Sequence, residues 1–593
     1  MKFKNPVLRG MYPDPSMCAA NGKYYMVCST FQFFPGVPLF ESEDLINWKQ
    51  IGHVLTRKSQ LLTEKNNTGA GIYAPTIRYN NGRFYMVVTN VSNIGNFYVY
   101  TDDIYGEWSD PIIVEQNGID PSLFFDDDGK VYFISNGNDS EGRGFIQMSQ
   151  IDIETGKKIT ENEPLWYGTG GRYIEAPHMY KFGEYYYLLN AEGGTEYGHM
   201  VNYARSKNIR GPFEPCPLNP VLTNRNLGGY QLQGAGHGDI VQAADGTWWF
   251  CHLAFRQIDR YMPFHHLGRE TCMEPVIWKD GWFYIGTPVQ KECVCGAQVA
   301  NGYNQKQGYG NALLEVECPS EHNFAPQNFN YTKTFASLEL DKDWCYLCNP
   351  TPQNYSFKKD CFELTTCDLT IDTPEGSPTF IGVRQCEFEE KTECTVELFS
   401  EDENGTAVSG TDSFAQGGIS VYMDPNHHYD VYVCCKDGKF YAECKITIGQ
   451  ARQVLKSIPL EIARATFVIE SGPYNYSFYL KKSASATGSA SSETAATSTV
   501  PTAPVSAASS KAQKLLLGQA DTRYLSSEVA CGFTGVFTGL YVQKSVATAG
   551  TRDIGVTGTN GTGACCSDAN ATACNSANVK AKFTNLSISH KEE

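Results

Sequence analysis

Short apolar and aromatic runs, bounded by Gly, Pro, Asp and Asn, fill the first half of the chain, and no stretch there keeps a helical period. Five of these runs share one plan, in which an opener containing Pro or an acidic residue leads to a Gly turn and an aromatic strand. Asp14-Pro15 leads to Gly22-Lys-Tyr-Tyr-Met26, Ala74-Pro75 to Gly82-Arg-Phe-Tyr-Met86, and Asp120-Pro121 to Gly129-Lys-Val-Tyr-Phe133. Glu175-Ala-Pro177 leads to Gly183-Glu-Tyr-Tyr-Tyr187, and His237-Gly-Asp239 to Gly246-Thr-Trp-Trp-Phe250. The copies recur every roughly 45 to 65 residues, which suits a four-stranded sheet with its turns. The pattern predicts an all-β protein that begins with a five-bladed β-propeller over residues 1–305.

Residues 300–325 are polar, Gly-rich and unpatterned, as expected of a domain connection. Alternating runs then return at Phe362–Thr366, Cys394–Phe399, Gly418–Met423, Tyr429–Val433 and Phe467–Glu470, and predict a β-sandwich over 325–593. Two segments interrupt it. Residues 483–512 are almost wholly Ser, Ala, Thr, Gly and Pro and cannot pack a core; residues 547–578 are similar. Strand-like sequence flanks both, so both are expected to be loops inserted into the sandwich rather than domain boundaries.

Composition narrows the chemistry. The net charge of −17 argues against nucleic acid or an anionic membrane surface as partner. No apolar run approaches the roughly 18 residues of a membrane span. The N-terminus has no apolar signal core, which predicts a cytoplasmic protein if the chain is complete and a secreted one if a signal was removed. A homo-oligomer is left open. The 21 cysteines are odd in number and partly adjacent, which is not a disulfide framework, and Cys345-x-x-Cys348 lacks a second pair for zinc. Aromatics at 13% suit strands, and suit sites where the C–H face of a sugar packs on a ring.

In a propeller the first strand of every blade lines the axis, so equivalent openers converge on one spot. Here they are Asp14, Ala74, Asp120, Glu175 and His237. Three carboxylates and a histidine in one cavity are costly unless they serve chemistry or hold an ion. A structural Ca²⁺ on the axis, with His237 as a ligand, is the bland reading. The chemical reading is a general acid and a general base whose pKa values are pushed apart. Glu175, beside Tyr173 and Ile174, is placed to be raised, with Asp120 as a further negative charge. Asp14, in a short polar turn, is expected to stay ionised. That layout is the one an inverting glycosidase uses, with water between the two groups.

Several stretches together resemble glycoside hydrolase family forty-three: Asn5–Ser16, Ser29–Pro38, Gly118–Leu123, Gly171–His178, Gly236–Asp239 and His266–Glu270. Asp341–Trp344 and Asp521–Glu528 look like the C-terminal concanavalin-like jelly roll of its two-domain β-xylosidases and α-L-arabinofuranosidases. The resemblance implies that Asp14 is the general base, Glu175 the general acid and Asp120 the carboxylate that tunes it. It further implies that Arg269 binds sugar hydroxyls, that Phe31 and Tyr73 line the sugar pocket, that His237 sits on the axis, and that Phe533 reaches over from the sandwich. The implied activity is exo-acting, inverting release of terminal β-D-xylose or α-L-arabinofuranose from xylo-oligosaccharides or arabinoxylan fragments, with no required cofactor. An endo-arabinanase-like relative and a non-catalytic carbohydrate-binding protein are the alternatives. Tyr73, where many xylosidases carry Trp, and Gly193–His199 bear on which sugar is taken.

Overall fold

The computed structural model describes residues 1–63, 66–259, 261–286, 310–335, 340–401, 407–408, 415–482, 513–544 and 579–592. Five four-stranded antiparallel sheets follow one another over residues 16–55, 76–113, 122–166, 175–215 and 232–285. The turn between the first two strands of a blade explains the repeated Gly. At Asn21-Gly22 and Asn81-Gly82 both residues have positive φ, 53° and 78° in one and 50° and 88° in the other. A tight hairpin of that hand matches the twist of its strands and selects Asn-Gly. The aromatic second strands then pair with the openers' strands, Lys23–Val27 with Ser16–Ala20 and Arg83–Asn90 with Thr76–Asn80.

The first strands of successive blades touch in a closed ring, and the fifth, Leu232–Gln242, returns to the first, Ser16–Ala20. Polar bonds staple that closure: Asp239 Oδ2 accepts from Ser16 Oγ at 2.6 Å and from the Met17 amide at 3.2 Å. Below the openers the axis is filled by Arg78, which donates to Asp239 at 2.7 Å and meets His178 Nδ1 at 2.8 Å. Apolar side chains fill the space between blades, such as Val27, Leu39, Ile77, Met86 and Val99 between the first two.

Glu315–Glu317 pairs antiparallel with Lys2–Lys4, and the Asn5 amide donates to the Leu314 carbonyl. Part of the stretch expected as connection is therefore a strand, with Val316 completely buried beside Phe3. Its short alternation was hidden by the polar sequence before it.

The second domain is a sandwich of a nine-stranded and an eight-stranded sheet, with Phe467, Phe478, Val431, Leu540 and Phe583 in the core between them. The last strand, Val579–His590, lies inside the nine-stranded sheet between Cys361–Thr365 and Lys391–Glu401. The two low-complexity segments lie outside the described residues. Asn475–Lys481 and Lys514–Asp521, on either side of the first of them, pair antiparallel in one sheet. Among the described cysteines no two form a disulfide.

The two domains share structure. Phe33–Phe34, from a loop of the first blade, forms the edge strand of the eight-stranded sheet against Cys345–Leu347, and Phe33 stacks on Phe537 with ring centroids 4.0 Å apart. Arg256 of the propeller is buried between its own Glu270 and Glu387 of the sandwich, at 2.8 and 2.9 Å. At Gly535 the backbones approach so closely that a Cβ would lie 2.3 Å from the Leu267 carbonyl oxygen and 2.9 Å from Gly268 Cα. Backbone cannot swing aside as a side chain can. Gly535→Ala is therefore expected to cost about 1–3 kcal/mol as overpacking and to raise KM, since the displaced segment carries Phe533. Thermal unfolding together with steady-state kinetics checks both.

Candidate active site

The openers do converge. Asp14, Asp120, Glu175 and His237 line one cavity of about 130 Å³, together with Phe31, Tyr73, Thr195, Arg269 and Phe533. The backbone is strained to bring them there. Asp14, Asp120 and His237 have φ of 56°, 54° and 45°, and Ala176, next to Glu175, has 55°. Left-handed residues of this kind cost on the order of 1–3 kcal/mol each and persist where the surrounding fold over-determines them.

Asp14 is only 5% exposed, so its short turn does not leave it to solvent. Its Oδ1 accepts from Arg269 Nη1 at 2.9 Å and its Oδ2 from Ser29 Oγ at 2.5 Å, with His237 Nδ1 3.7 Å from Oδ1. Burial alone would raise its pKa. The Arg269 guanidinium, His237 and the Ser29 hydroxyl outweigh burial and hold Asp14 below the ordinary carboxylate range.

Glu175 opens the strand Glu175–Phe182, with a bulge before His178 that breaks the regular register. Burial, and then the charge of Asp14, push its pKa up to about 7 against the pull of Arg269. The cause is the tertiary cavity rather than the residues next to it in sequence. Ile174 is buried, but Tyr173 is 65% exposed and Arg172 pairs with Glu196. Asp120 accepts a hydrogen bond from the Ala176 amide, and burial followed by the Glu175 and Asp14 charges raises its pKa as well. Asp120 and Glu175 therefore titrate as a pair that keeps a proton at neutral pH.

Arg269 ties the site together. It donates to Asp14, to Thr195 Oγ1 at 2.8 Å and to the Phe533 carbonyl at 3.3 Å, and lies near the Phe31 and Phe533 rings. It pairs with neither Glu270, which Arg256 holds, nor Asp239, which Arg78 holds. Phe533, carried by the sandwich, is 46% exposed and stacks on the buried Phe31 at 6.2 Å, while Tyr73 meets Phe31 edge-on at 5.5 Å.

Two residues that the sequence did not single out complete the picture. Thr195 orients Arg269. His199 is wholly buried with Nε2 4.0 Å from Glu175 Oε1, and its Nδ1 faces the Gly234 carbonyl at 3.2 Å. That carbonyl needs a donor, so Nδ1 carries the proton and Nε2 presents a lone pair to Glu175. Burial lowers the His199 pKa to about 3, so the ring is neutral. Both residues belong to Gly193–His199, where only a general bearing on sugar choice was legible.

Both Asp14 oxygens already accept hydrogen bonds, and the Arg269 guanidinium holds positive charge beside them. His237 faces Asp14 and, at 4.0 Å, Asp120.

Beyond the cavity lies a larger pocket of about 470 Å³ at the domain seam, lined on one side by Tyr173, Tyr197 and His265 and on the other by Ser527, Glu528 and Cys531. Glu175, Thr195, Arg269 and Phe533 line both spaces. Glu528, from the sandwich, accepts from Tyr197 Oη at 2.8 Å and meets His265 Nδ1 at 2.8 Å. Although burial opposes it, its bonds with His265 and Tyr197 hold its carboxyl at about 2, so this wall is pinned by an ionised group.

A buried carboxyl pair that keeps a proton, an ionised carboxylate and an arginine thus meet in one cavity of a five-bladed propeller. Residues 3–283 match the family described as glycosyl hydrolases family 43, and residues 332–553 match the beta xylosidase C-terminal concanavalin A-like domain. The chain is 36% identical over 545 residues to a non-reducing end alpha-L-arabinofuranosidase of Bacteroides ovatus, covering 91% of each. It is 34% identical over 493 residues to a xylosidase/arabinosidase of Butyrivibrio fibrisolvens, covering 81% of this chain and 89% of that one. Its fold superposes on a xylan beta-1,4-xylosidase from Bacillus halodurans with a TM-score of 0.76 at 26% identity, over 98% of this chain and 99% of the other. The chain belongs to glycosyl hydrolases family 43.

The titrations set a pH profile. If Asp14 serves as base and the Asp120–Glu175 pair as acid, the reading proposed below, Asp14 works ionised and the pair works protonated, and kcat/KM is expected to be bell-shaped. The acid limb should lie below the ordinary Asp range, because the folded pKa of Asp14 is depressed. The alkaline limb should fall near 7, where Glu175 loses its proton. A profile still flat a full unit above 7 would count against this assignment of the acid.

Proposed function

We propose that the protein is an exo-acting, inverting glycosidase that removes terminal pentose, β-D-xylose or α-L-arabinofuranose, from xylo-oligosaccharides or arabinoxylan fragments. The observation that carries this reading is the pairing of spaces: a cavity of about 130 Å³ adjoins a seam pocket of about 470 Å³, with Glu175, Thr195, Arg269 and Phe533 lining both. The small space suits one terminal sugar ring. The larger one suits the rest of the chain, with the acid at the junction where the departing oxygen lies. Asp14, Phe31, Tyr73, Asp120 and His237 line the small space alone and back it away from the seam pocket, so the ring held there is the end of the chain and internal cleavage is disfavoured.

In this mechanism Asp14 takes a proton from water as the water attacks the anomeric carbon, and Glu175 gives its proton to the leaving oxygen. Arg269 keeps Asp14 ionised and offers donors to sugar hydroxyls. Asp120 titrates with Glu175 as a pair, and His199 stays neutral beside it. Phe31, Tyr73 and Phe533 pack the C–H face of the sugar. None of these steps calls on a cation, so a chelator should leave the rate unchanged.

The decisive measurement is a panel of 4-nitrophenyl β-D-xyloside and α-L-arabinofuranoside, with NMR of the first-formed anomer from a xylo-oligosaccharide. Release of single pentose units with inverted configuration is expected. Retained configuration would overturn the water-activating role of Asp14, and internal fragments would overturn the exo reading.

A further inference from the structure

Besides Asp14, two oxygens from different domains hold the Arg269 guanidinium. Its Nη1 donates to Thr195 Oγ1 at 2.8 Å as well as to Asp14 Oδ1 at 2.9 Å, and its Nη2 donates to the Phe533 carbonyl at 3.3 Å. Thr195 belongs to a loop of the fourth blade and Phe533 to the sandwich. Both segments are fastened at one place, the carboxylate of Glu528.

Glu528 stands in the single helical turn Ser527–Ala530, five residues before Phe533. Tyr197 Oη donates to its Oε1 at 2.8 Å, the His265 amide donates to its Oε2 at 3.0 Å, and His265 Nδ1 meets Oε1 at 2.8 Å. Bonds to an ionised acceptor are roughly twice as strong as neutral ones. The loop that carries Tyr197 and Thr195 is closed on itself: a Cβ on Gly193, whose φ is 95°, would lie 2.1 Å from the Gly198 carbonyl oxygen. Within it the Glu196 amide donates to the Gly194 carbonyl at 2.8 Å and the His199 amide to the Glu196 carbonyl at 2.9 Å. A loop tied in this way passes a shift of Tyr197 on to Thr195. On the other side, the Ser527 amide donates to the His265 carbonyl at 3.2 Å and the Val536 amide to the His266 carbonyl at 3.0 Å. Glu528 and Phe533 thus lie on one segment laid along the residues that lead into Arg269.

We propose that Glu528 is a positioning residue of the catalytic site: by holding Tyr197 and His265 it fixes the two acceptors, Thr195 Oγ1 and the Phe533 carbonyl, that aim Arg269 at Asp14. The proposal rests on the reading of Asp14 as base and Arg269 as its partner and sugar ligand. Asp14 is faced by Arg269 and His237, by Asp120 and Glu175 across the cavity, and further off by His199, Tyr73 and Cys28. Arg269 is the one permanent cation in that set. A carboxylate in the second domain thereby sets how firmly the base is kept ionised.

Glu528→Ala and Tyr197→Phe test this, the second removing one hydroxyl and leaving the ring edge-on to Phe255. The readouts are kinetics on 4-nitrophenyl β-D-xyloside and α-L-arabinofuranoside across pH, beside thermal unfolding. In Glu528→Ala, KM is expected to rise about three-fold or more and the acid limb of kcat/KM to move up by about half a unit, because a loosened guanidinium depresses Asp14 less. Tyr197→Phe should move both in the same direction, and Glu528→Gln, whose carbonyl still accepts from Tyr197, should recover most of the KM. In a Thr195→Val background Glu528→Ala should raise KM by a smaller factor than in the wild type, since the two residues act on one arginine. If KM and the acid limb keep their wild-type values in both variants while kcat falls with the folded fraction, Glu528 only joins the domains and the proposal is overturned. Full additivity of Glu528→Ala and Thr195→Val in KM overturns it as well. An acid limb that survives Asp14→Asn would overturn the base reading instead, and the KM series would still judge Glu528.

Discussion

Replacing Glu175 by Gln is expected to lower kcat/KM on an unactivated xylo-oligosaccharide by about 10²–10⁴-fold, the usual contribution of a positioned general acid. The same variant should lose far less on a 4-nitrophenyl pentoside, because nitrophenolate departs without being protonated. The amide keeps the size of the side chain and removes only the proton that is delivered, so the contrast between substrates isolates acid catalysis from packing. Equal losses on both substrates would refute the acid role. The alkaline limb near 7 should also vanish from the residual aryl activity, since the group that titrates there is gone.

Asp14→Asn makes the opposite prediction about leaving groups. Water must be activated whatever departs, so the loss should be about 10²–10⁴-fold on both the oligosaccharide and the aryl glycoside. A second effect follows from the charge map. The Asp14 carboxylate is, after burial, the largest influence holding the Glu175 pKa up, and Arg269 is the one opposing it. With Asp14 neutral, only burial still opposes Arg269, and the alkaline limb of the residual activity should shift below 7. The variant also leaves a buried guanidinium without its ionised partner, so some loss of stability is expected. A Glu175 limb that stays in place would mean that the two carboxyls do not sense one another.

Much of this architecture was legible before any coordinates. The five openers and their aromatic strands predicted five blades, and the blades in turn placed Asp14, Asp120, Glu175 and His237 together, because a propeller's first strands all face one axis. Local chemistry was a poorer guide to ionisation. Asp14 was expected to stay charged because its turn is polar; it is buried, and stays charged because Arg269, 255 residues away, donates to it. Glu175 was expected to be raised by its apolar neighbours, yet Tyr173 beside it is largely exposed, and burial in the cavity does the work. Thr195 and His199 gave no signal, since a threonine and a histidine in a Gly-rich loop have no pattern of their own.

The sequence by itself determined the repeat, the two β domains and the acidic openers, because strand period, turn residues and recurrence are local properties that a chain displays in order. Only the tertiary structure decided how the site is closed and charged. Phe33–Phe34 leaves the first blade to join the sandwich sheet, Gly535 lets the domain backbones touch, and Phe533 is thereby laid over Phe31 beside Arg269. These are contacts between residues hundreds of positions apart, and the pKa of a buried carboxyl depends on the distance to such partners and on the water they exclude. Neither quantity is written in the order of residues.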